Sequence, residues 1–322
     1  MSEFSGTCVA LSGGVGGAKL ALGLSKTLAP EHLNVIVNTG DDFEHLGLTI
    51  CPDLDTLTYT LAGLNNTETG WGRMGETWTF MDALKALGGE AWFQLGDGDL
   101  ATHVERTRRL AAGESLSSVT AALTARLGIE VAITPMSDDA VRTYVDTADG
   151  ALAFQHYFVR DQCAPVVTGF EFRGVDVATP SPAVLAALAD PALGAVVICP
   201  SNPYISIDPV LAVPGLRAAI EAAAAPVIAV SPIVGGRAIK GPTTKMMVEL
   251  GVTQSAASVA RHYRGLIDGF VIDSEDEATG DEIRALGMDV LTTNTVMQSL
   301  EDRVSLAADV LEFATVLRSK PE

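Results

Sequence analysis

The chain has 322 residues, 48% of them hydrophobic and 19% charged, a composition typical of a globular protein with a large core. Its 40 acidic and 21 basic residues give a formal net charge of −19, which argues against a general nucleic-acid or anionic-membrane binder, because such binding needs clustered Lys and Arg. The charge leaves open a small anionic ligand, which needs only a local binding site.

The spacing of the cysteines and the start of the chain bear on the compartment. The four cysteines form no CxxC motif, so we expect neither a zinc site nor a thioredoxin-like site. The N-terminal stretch lacks the basic start and the long apolar run of a signal peptide. The most apolar region, 209–230, is interrupted by Pro214, Arg217 and Glu221 and is not expected to span a membrane. We therefore expect a cytoplasmic enzyme or binding protein.

The first predicted elements form a βαβ unit. "TCVALSG" (7–13) is typical of a short buried strand that ends in glycine, and "LNVIVNTG" (33–40) has the same character. Between them, "GGAKLALGLSKTL" (16–28) places apolar residues at helical spacing. This order predicts a parallel sheet with a right-handed crossover.

The middle of the chain has a different pattern. Residues 55–128 are predicted to be mostly helical, and strands are predicted at 129–137, 141–159 and 167–174. The sequence Ala148-Asp149-Gly150 is a candidate hairpin turn within the second of these segments.

The strand–helix alternation returns in the last part of the chain. Strands are predicted at 194–203, 225–236, 267–274 and 287–294, with helices near 207–223, 242–263, 277–286 and 296–318. We therefore predict an α/β fold, a Rossmann-like, doubly wound and mainly parallel sheet, in a single domain. Its core would comprise about 1–60 and 175–322, interrupted by an inserted α+β region at about 61–174.

A glycine-rich turn, "SGGVGG" (12–17), follows the first predicted strand. It is not a phosphate loop, GxxxxGK[ST], because Leu20 follows Lys19, and Lys19 also fills the last glycine position of GxGxxG. The free N–H groups of the following helix still suit a phosphate. The sequence thus predicts phosphate binding by this turn, with Lys19 nearby; a plain tight turn with Lys19 on the helix surface is the alternative. The glycines concerned are Gly13, Gly14, Gly16 and Gly17.

Four aspartates lie close together after the second predicted strand. Asp41 and Asp42 follow the strand directly, and Asp53 and Asp55 begin the next helix. One of the latter two is alternatively a helix cap. Carboxylates beside a phosphate-binding turn suit Mg²⁺, which binds one or two carboxylates together with phosphate oxygens and water. Two metals, or one metal with a catalytic base, are both compatible with this set.

Two further motifs are rich in aromatic and acidic residues. In "GWGRMGETWTFMDAL" (70–84), Trp71 and Trp78 flank a charged turn, which suits a planar aromatic ligand, although such tryptophans more often belong to a core. In "LGDGDLATH" (95–103), His103 is more often structural than catalytic.

Seven motifs in order resemble the 2-phospho-L-lactate transferase family, from the first strand to beyond residue 245. They are "GGVGGAKL", "NTGDD", "CPDLDTLTYTL", "GWGRMGETW", "LGDGDLATH", "SNPYISIDP" and "SPIVGG". The resemblance implies an enzyme of coenzyme F-420 biosynthesis. It would transfer the phospho-acid part of a guanylylated three-carbon acid to the terminal ribityl hydroxyl of the deazaflavin Fo, with release of GMP. It also implies Mg²⁺ as cofactor, small-molecule substrates and no nucleic acid or membrane partner, and a homodimer.

The same resemblance implies roles for individual residues. It favours Asp41 and Asp53 as metal-site carboxylates, which leaves Asp42 or Asp55 to support the metal or accept a proton. Further ligand-binding positions fall in the turn after the second strand (Thr39, Gly40), in the deazaflavin pocket that the insertion would form (Trp78, Met136, Arg142), and around the nucleotide (Ser201, Asn202, Ser231).

Two other functions compete with the transferase. A related group of gluconeogenesis-linked regulators resembles the same core and binds nucleotide sugars without known turnover, but "CPDLDT" together with "GWGRMGETW" is not expected there. An NAD-dependent oxidoreductase is supported only by the βαβ start, and the missing third glycine argues against it. The sequence leaves open whether the acid is phospholactate, phosphoenolpyruvate or phosphoglycerate.

Overall fold

A computed structural model of the protein describes residues 4–68 and 70–320. The start of the N-terminal stretch considered for a signal peptide, residues 1–3, lies outside them. In chain order the strands are β1 (Thr7–Ser12), β2 (Leu33–Val37), β3 (Phe43–His45), β4 (Leu48–Ile50), β5 (Ala132–Pro135), β6 (Arg142–Thr147), β7 (Gly150–Ala153), β8 (Gly169–Arg173), β9 (Leu193–Ile198), β10 (Val227–Val230), β11 (Ile233–Val234), β12 (Arg237–Ala238), β13 (Gly269–Asp273) and β14 (Asp289–Thr293).

The α-helices cover the sheet and build most of the segment between β4 and β5. In chain order they are α1 (Gly14–Thr27), α2 (Pro52–Leu61), α3 (Thr79–Ala86), α4 (Asp97–Ala111), α5 (Leu116–Arg126), α6 (Pro182–Leu188), α7 (Asp208–Ala212), α8 (Leu216–Glu221), α9 (Thr243–Glu249), α10 (Ala256–His262), α11 (Gly280–Arg284) and α12 (Leu300–Arg318).

A seven-stranded sheet, in the order β14-β13-β10-β9-β1-β2-β5, forms the centre of the molecule. Every pair of neighbours in it is parallel. The chain runs outward from β1 to β2 and β5 on one side, and to β9, β10, β13 and β14 on the other. The predicted α/β fold with a Rossmann-like, doubly wound sheet is confirmed, and its switch point lies between β1 and β9.

The sheet is buried on both faces, which explains why its strands are continuously apolar in sequence. In β1, Cys8 and Ala10 face one core cluster, and Val9 and Leu11 face the other. α1 and α12 pack together over the first face, where Gly23 leaves no room for a side chain against the carbonyl of Arg303. This packing holds the N-terminal end of α1 against the carboxyl ends of β1 and β9.

The structure differs from the sequence prediction at two points of the 61–174 range. β5 pairs with β2 at the edge of the parallel sheet, so the sheet itself extends into the predicted insertion. The predicted strand 141–159 contains the expected hairpin, β6–β7, but residues His156–Arg160 form a π-helical turn. Phe154 and Phe158 stack there with ring centroids 5.4 Å apart, a four-residue spacing that fits a helical turn and not a strand. The division into a core and an insertion stays a prediction.

Within residues 4–68 and 70–320, no helix combines the length and the apolar character that a membrane crossing requires.

Candidate active site

A cleft of about 560 Å³ opens at the carboxyl ends of β1, β2, β9 and β10, around the switch point. Open α/β sheets bind their ligands at this edge. Predicted site residues that line the cleft are Gly13, Gly14, Gly16, Lys19, Asp41, Asp53, Ser201, Asn202 and Ser231. The structure thus brings together residues that lie more than two hundred positions apart in the chain.

The turn between β1 and α1 presents backbone donors to this cleft. The N–H of Gly13 donates to Ser201 Oγ at 3.2 Å, and the N–H of Gly14 donates to Asp53 Oδ1 at 2.7 Å. No side chain of the described residues caps α1, and the N–H groups of Val15 and Gly16 have no carbonyl one turn earlier in the helix; both residues line the cleft. Helix-terminal donors and the positive end of the helix dipole suit an anion at this point of the cleft.

Glycine is required in this turn for two different reasons. Gly14 has a φ of 65°, in the left-handed region, and a Cβ on it would point into open space. A Cβ on Gly16 would collide with the carbonyl oxygen of Pro200, because β9 ends directly beside the helix. The first glycine therefore shapes the turn, and the second allows close packing.

Asp41 and Asp53 form a buried pair of carboxylates that is joined by one amide. Asn38 Nδ2 donates to Asp41 Oδ1 at 3.2 Å and to Asp53 Oδ2 at 2.9 Å, while Asn38 Oδ1 accepts the N–H of Gly40 at 2.8 Å. Both aspartates are 6% exposed, and both line the cleft. The side chains thus converge from the end of β2 and the first turn of α2.

The electrostatics of this pair favour a cation. Burial raises the pKa of Asp41 well above its usual value, with repulsion from Asp53 adding to the effect. Burial also raises the pKa of Asp53, to about 6. In the described part of the chain, neither carboxylate forms an ion pair with a basic side chain. Two buried carboxylates without a cationic partner, beside an anion site, are a donor set that fits Mg²⁺.

Asp42 is buried next to this pair but does not line the cleft. Burial raises its pKa to about 7, although the Arg142 guanidinium and a hydrogen bond with Cys51 oppose the rise. Its Oδ1 has no hydrogen-bond partner among the described residues. Arg142 donates to the carbonyl of Val141 at 2.7 Å and lies 3.5 Å from that of Thr39. Asp42 thus lies behind the cleft lining, in contact with Cys51 and near Arg142.

Asp55 is held on the other side of α2. Its carboxylate is bound by the buried guanidinium of Arg106, with Nη1 3.1 Å from Oδ2 and Nη2 on Oδ1. His103 Nδ1 lies 3.2 Å from Arg106 Nη1, and His103 Nε2 lies 3.2 Å from Asp99 Oδ2. Tyr59 donates to Asp99 at 2.6 Å. Asp55 therefore belongs to a buried ion-pair network between α2 and α4.

This network is also close enough to hold a metal ion. Ligand atoms of Asp55, Asp99 and His103 lie within 4.8 Å of one another. The Arg106 guanidinium already neutralises Asp55, and a second cation at that carboxylate would meet its repulsion. The pair formed by Asp41 and Asp53 is thus the better candidate for binding a divalent cation.

The motifs "GWGRMGETWTFMDAL" and "LGDGDLATH" cap each other's helices. Glu76 accepts the N–H groups of Gly98 and Asp99, at 2.6 and 2.8 Å, in the first turn of α4. Asp97 accepts the N–H groups of Thr79 and Phe80, both at 3.1 Å, in the first turn of α3. These contacts satisfy helix-terminal donors and fix α3 against α4.

The remaining predicted positions lie at varying distances from the cleft. Trp78 is 38% exposed at the start of α3 and contacts Trp71 edge-on, and it is Trp71 that lines the cleft. Met136 is fully buried in the core. Predicted residues outside the cleft lining are Gly17, Thr39, Gly40, Asp42, Asp55, Trp78, Met136 and Arg142.

Sequence reasoning missed an aromatic and amide wall of the cleft. It consists of Phe93, Gln94, Phe154, Gln155 and Phe158, together with Trp71. The four-residue spacing of Phe154 and Phe158 was a usable signal, but the approach of both segments to the cleft depends on tertiary contacts.

The fold and the cleft define a Rossmann-like α/β protein with a glycine-rich helix N-terminus and a buried pair of carboxylates at its switch point. A sequence profile described as 2-phospho-L-lactate transferase CofD matches residues 8–304. The chain belongs to this family of phosphotransferases, as its seven motifs predict.

Curated relatives extend over nearly the whole chain. A phosphoenolpyruvate transferase of Streptomyces griseus is 42% identical over 317 residues, which cover 97% of this chain and 99% of that protein. A 2-phospho-L-lactate transferase of Methanosarcina mazei is 38% identical over 304 residues, 94% of this chain and 99% of that protein.

Solved structures support the fold alone. A member of the UPF0052 family from Bacillus halodurans matches with a TM-score of 0.62 and 14% identity, covering 97% of this chain and 99% of that one.

Proposed function

We propose that the protein transfers the phosphoenolpyruvate part of a guanosine diphosphate-linked donor to the terminal ribityl hydroxyl of the deazaflavin Fo, with release of GMP. The observation that carries the proposal is the buried pair of Asp41 and Asp53 beside the free N–H groups of Val15 and Gly16 in one cleft. Membership of the CofD family supplies the reaction class.

The choice of phosphoenolpyruvate is based on the relatives. Streptomyces proteins that are 41–42% identical are named phosphoenolpyruvate transferases, whereas archaeal ones at 36–38% are named 2-phospho-L-lactate transferases. Phospholactate is therefore the second candidate acid.

The reaction is a displacement at phosphorus. The hydroxyl oxygen of Fo forms a bond to the phosphorus that carries the acid, the bond from this phosphorus to the bridging oxygen breaks, and the electron pair leaves with GMP. Such transfers depend mainly on positioning and on neutralising charge. Mg²⁺ held by Asp41 and Asp53 would neutralise phosphate oxygens when bound. The N–H groups of Val15 and Gly16 and the dipole of α1 hold the diphosphate.

Other residues of the chain bind the two ends of the substrates. The wall of Trp71, Phe93, Phe154 and Phe158 offers apolar faces to a planar deazaflavin. Ser201 and Asn202, at the end of β9, bind the nucleotide side. Asp55 is engaged by Arg106, and neither Asp55 nor Asp42 lines the cleft, so both would support the site from outside it.

The test is to incubate the pure protein with Fo, Mg²⁺ and each guanylylated acid, and to identify products by mass spectrometry. We expect GMP and the phosphoenolpyruvate-derived phosphodiester of Fo, formed faster than the phospholactate product. If no guanylylated acid gives a product while a nucleotide sugar binds tightly, the protein is a regulator and the proposal fails. Sedimentation velocity would separately test the homodimer that the family resemblance implies.

A further inference from the structure

Three basic side chains approach one another beside the cleft, on the side of the switch point away from Asp41. Lys19, on α1, lines the cleft and donates to the carbonyl of Met297 at 2.8 Å. Lys240 follows the hairpin β11–β12 and lines the mouth of the cleft. Arg303 lies on α12, which packs along α1, and its buried Nε has no hydrogen-bond partner among the described residues.

Among the described residues, the carboxylate of Asp302 lies near Arg303 without forming an ion pair with it, and Lys19 and Lys240 have no carboxylate partner. In the part of the chain that the structure describes, none of the three forms an ion pair with a carboxylate, although the chain carries 40 acidic residues. Burial lowers the pKa of Lys19, and repulsion from Arg303 and Lys240 lowers it further. Two lysines that line the cleft, with Arg303 beside them outside its lining, indicate an anionic ligand in a protein of net charge −19.

The sheet order shows which end of the substrate meets these cations. Asp41 follows β2, on one side of β1, whereas Lys240 and Ser231 follow β10, on the other side. The carboxylate pair and the basic residues therefore lie on opposite sides of the switch point, with the N-terminus of α1 between them. A diphosphate held at α1 has one phosphate on each side.

We propose that Lys19, Lys240 and Arg303 form an anion subsite for the phosphate that leaves with the nucleoside, distinct from the magnesium site at Asp41 and Asp53. The identity of the ligand as a nucleotide phosphate rests on the proposed function. When the bond to the bridging oxygen breaks, the electron pair and the new negative charge remain on this phosphate, where the cations stabilise them.

Calorimetry on the full-length protein can test the subsite with three probes: guanosine, GMP and inorganic pyrophosphate. Lys19→Met and Lys240→Met keep the length of the side chain and remove its charge. Lys26→Met is the matched control, because Lys26 is exposed in the last turn of the same helix. We expect each test variant to bind GMP and pyrophosphate about tenfold or more weakly, and guanosine with unchanged affinity. The control should bind all three like the wild type.

Thermal melting separates this role from a structural one. Removing one of three mutually repelling charges should leave the melting temperature of the ligand-free protein unchanged or raise it. If Lys19 serves only to hold Met297, Lys19→Met will lower the melting temperature and leave GMP and pyrophosphate affinities unchanged. That result overturns the subsite, as does a parallel loss of guanosine affinity or a wild type that binds neither anion.

The binding of pyrophosphate tests this inference separately from the proposed function. Pyrophosphate contains neither a base nor a three-carbon acid. If no guanylylated donor is turned over, but the lysine variants still lose pyrophosphate binding, the proposed function fails and the anion subsite stands.

Discussion

At the scale of single residues, neighbouring aspartates of the same helix have different surroundings. Asp53 and Asp55 are two residues apart in the first turn of α2, which places them about 200° apart around the helix axis. Asp53 thereby meets Asn38 and Gly14 in the cleft, whereas Asp55 meets Arg106 between the helices. Two aspartates of one motif thus differ in role: Asp53 belongs to the candidate site, whereas Asp55 belongs to a structural ion pair.

We expect Asp41→Asn and Asp53→Asn to lower turnover by more than about 100-fold, since even outer partners of metal ligands contribute about 10- to 100-fold. The amide keeps the size of the side chain but is a poor ligand for Mg²⁺. Steady-state kinetics over a range of Mg²⁺ concentrations measures the effect. Asp82→Asn, at an exposed position of α3, is the control and should behave like the wild type. Near-normal turnover of both variants at saturating Mg²⁺ would rule the assignment out.

Substitutions of Gly14 and Gly16 are expected to have different effects. Gly14→Ala should cost about 1–2 kcal/mol in stability because of the left-handed backbone, and its Cβ would enter the cleft and weaken pyrophosphate binding. Gly16→Ala should be more destabilising, because its Cβ collides with backbone of Pro200.

Urea denaturation and calorimetry with pyrophosphate measure both effects. If Gly14→Ala binds pyrophosphate with wild-type affinity, the turn is structural only, which was the alternative that the sequence left open.

At the scale of elements, the network between α2 and α4 fixes the helix that carries Asp53. We expect Arg106→Met to lower the free energy of unfolding by about 3–5 kcal/mol, because it leaves Asp55 buried without its counter-ion. Combining it with Asp55→Leu should recover most of the loss, since an apolar pair can replace a buried ion pair.

Arg108→Met is the control for this prediction. Arg108 lies on the same helix, and its ion pair with Glu105 is exposed, so the change should cost less than about 1 kcal/mol. Urea denaturation of the three variants and the wild type compares the free energies of unfolding. A loss for Arg106→Met no larger than that of the control would show that the network does not fix α2.

The same elements show what the sequence could and could not predict. The βαβ start and the polar strand ends were readable because periodicity and turn residues are local, and they located Asp41, Asp53 and the glycine turn. The pairing of Asp55 with Arg106 joins residues 51 positions apart, and the reciprocal capping by Glu76 and Asp97 joins α3 to α4. Local patterns contain no information on such contacts.

β5 illustrates the same limit for a strand. The composition of this short strand does not reveal whether it pairs with β2 or joins the antiparallel strands β6–β8. Only the packing of α5 against the sheet decides between the two, and that packing is not visible in the sequence around residues 132–135.

At the scale of the whole molecule, the doubly wound order places opposite charges on either side of one switch point. Strands β2 and β10 lie on opposite sides of the central strands β1 and β9, so Asp41 and Lys240 reach the same cleft from different halves of the chain. The net charge of −19 disfavours the binding of anions over the surface of the protein. The local cations and the helix dipole offset this charge within the cleft.

Metal binding and the stability of the molecule should be coupled through protons. The pKa values of Asp53 and Asp42 are raised to about 6 and about 7 in the folded protein, whereas an unfolded Asp titrates near 3.9. At a pH between the unfolded and the folded pKa values, the native state binds more protons than the unfolded state. The contribution of Asp53 and Asp42 to stability therefore falls as the pH rises through this range. Mg²⁺ would bind the ionised carboxylates of Asp41 and Asp53 and should restore the stability that is lost as the pH rises.

We therefore expect Mg²⁺ to raise the melting temperature much more at about pH 8 than at about pH 5.5, since at the lower pH it must first displace protons. Differential scanning calorimetry with and without Mg²⁺ measures this difference. Asp53→Asn removes one of the titrating ligands, so its metal-free form should lose less stability with rising pH, and Mg²⁺ should change its melting temperature little at either pH. An equal effect of Mg²⁺ at both pH values in the wild type would contradict the coupling, and an unchanged response of the variant would place the metal elsewhere in the molecule.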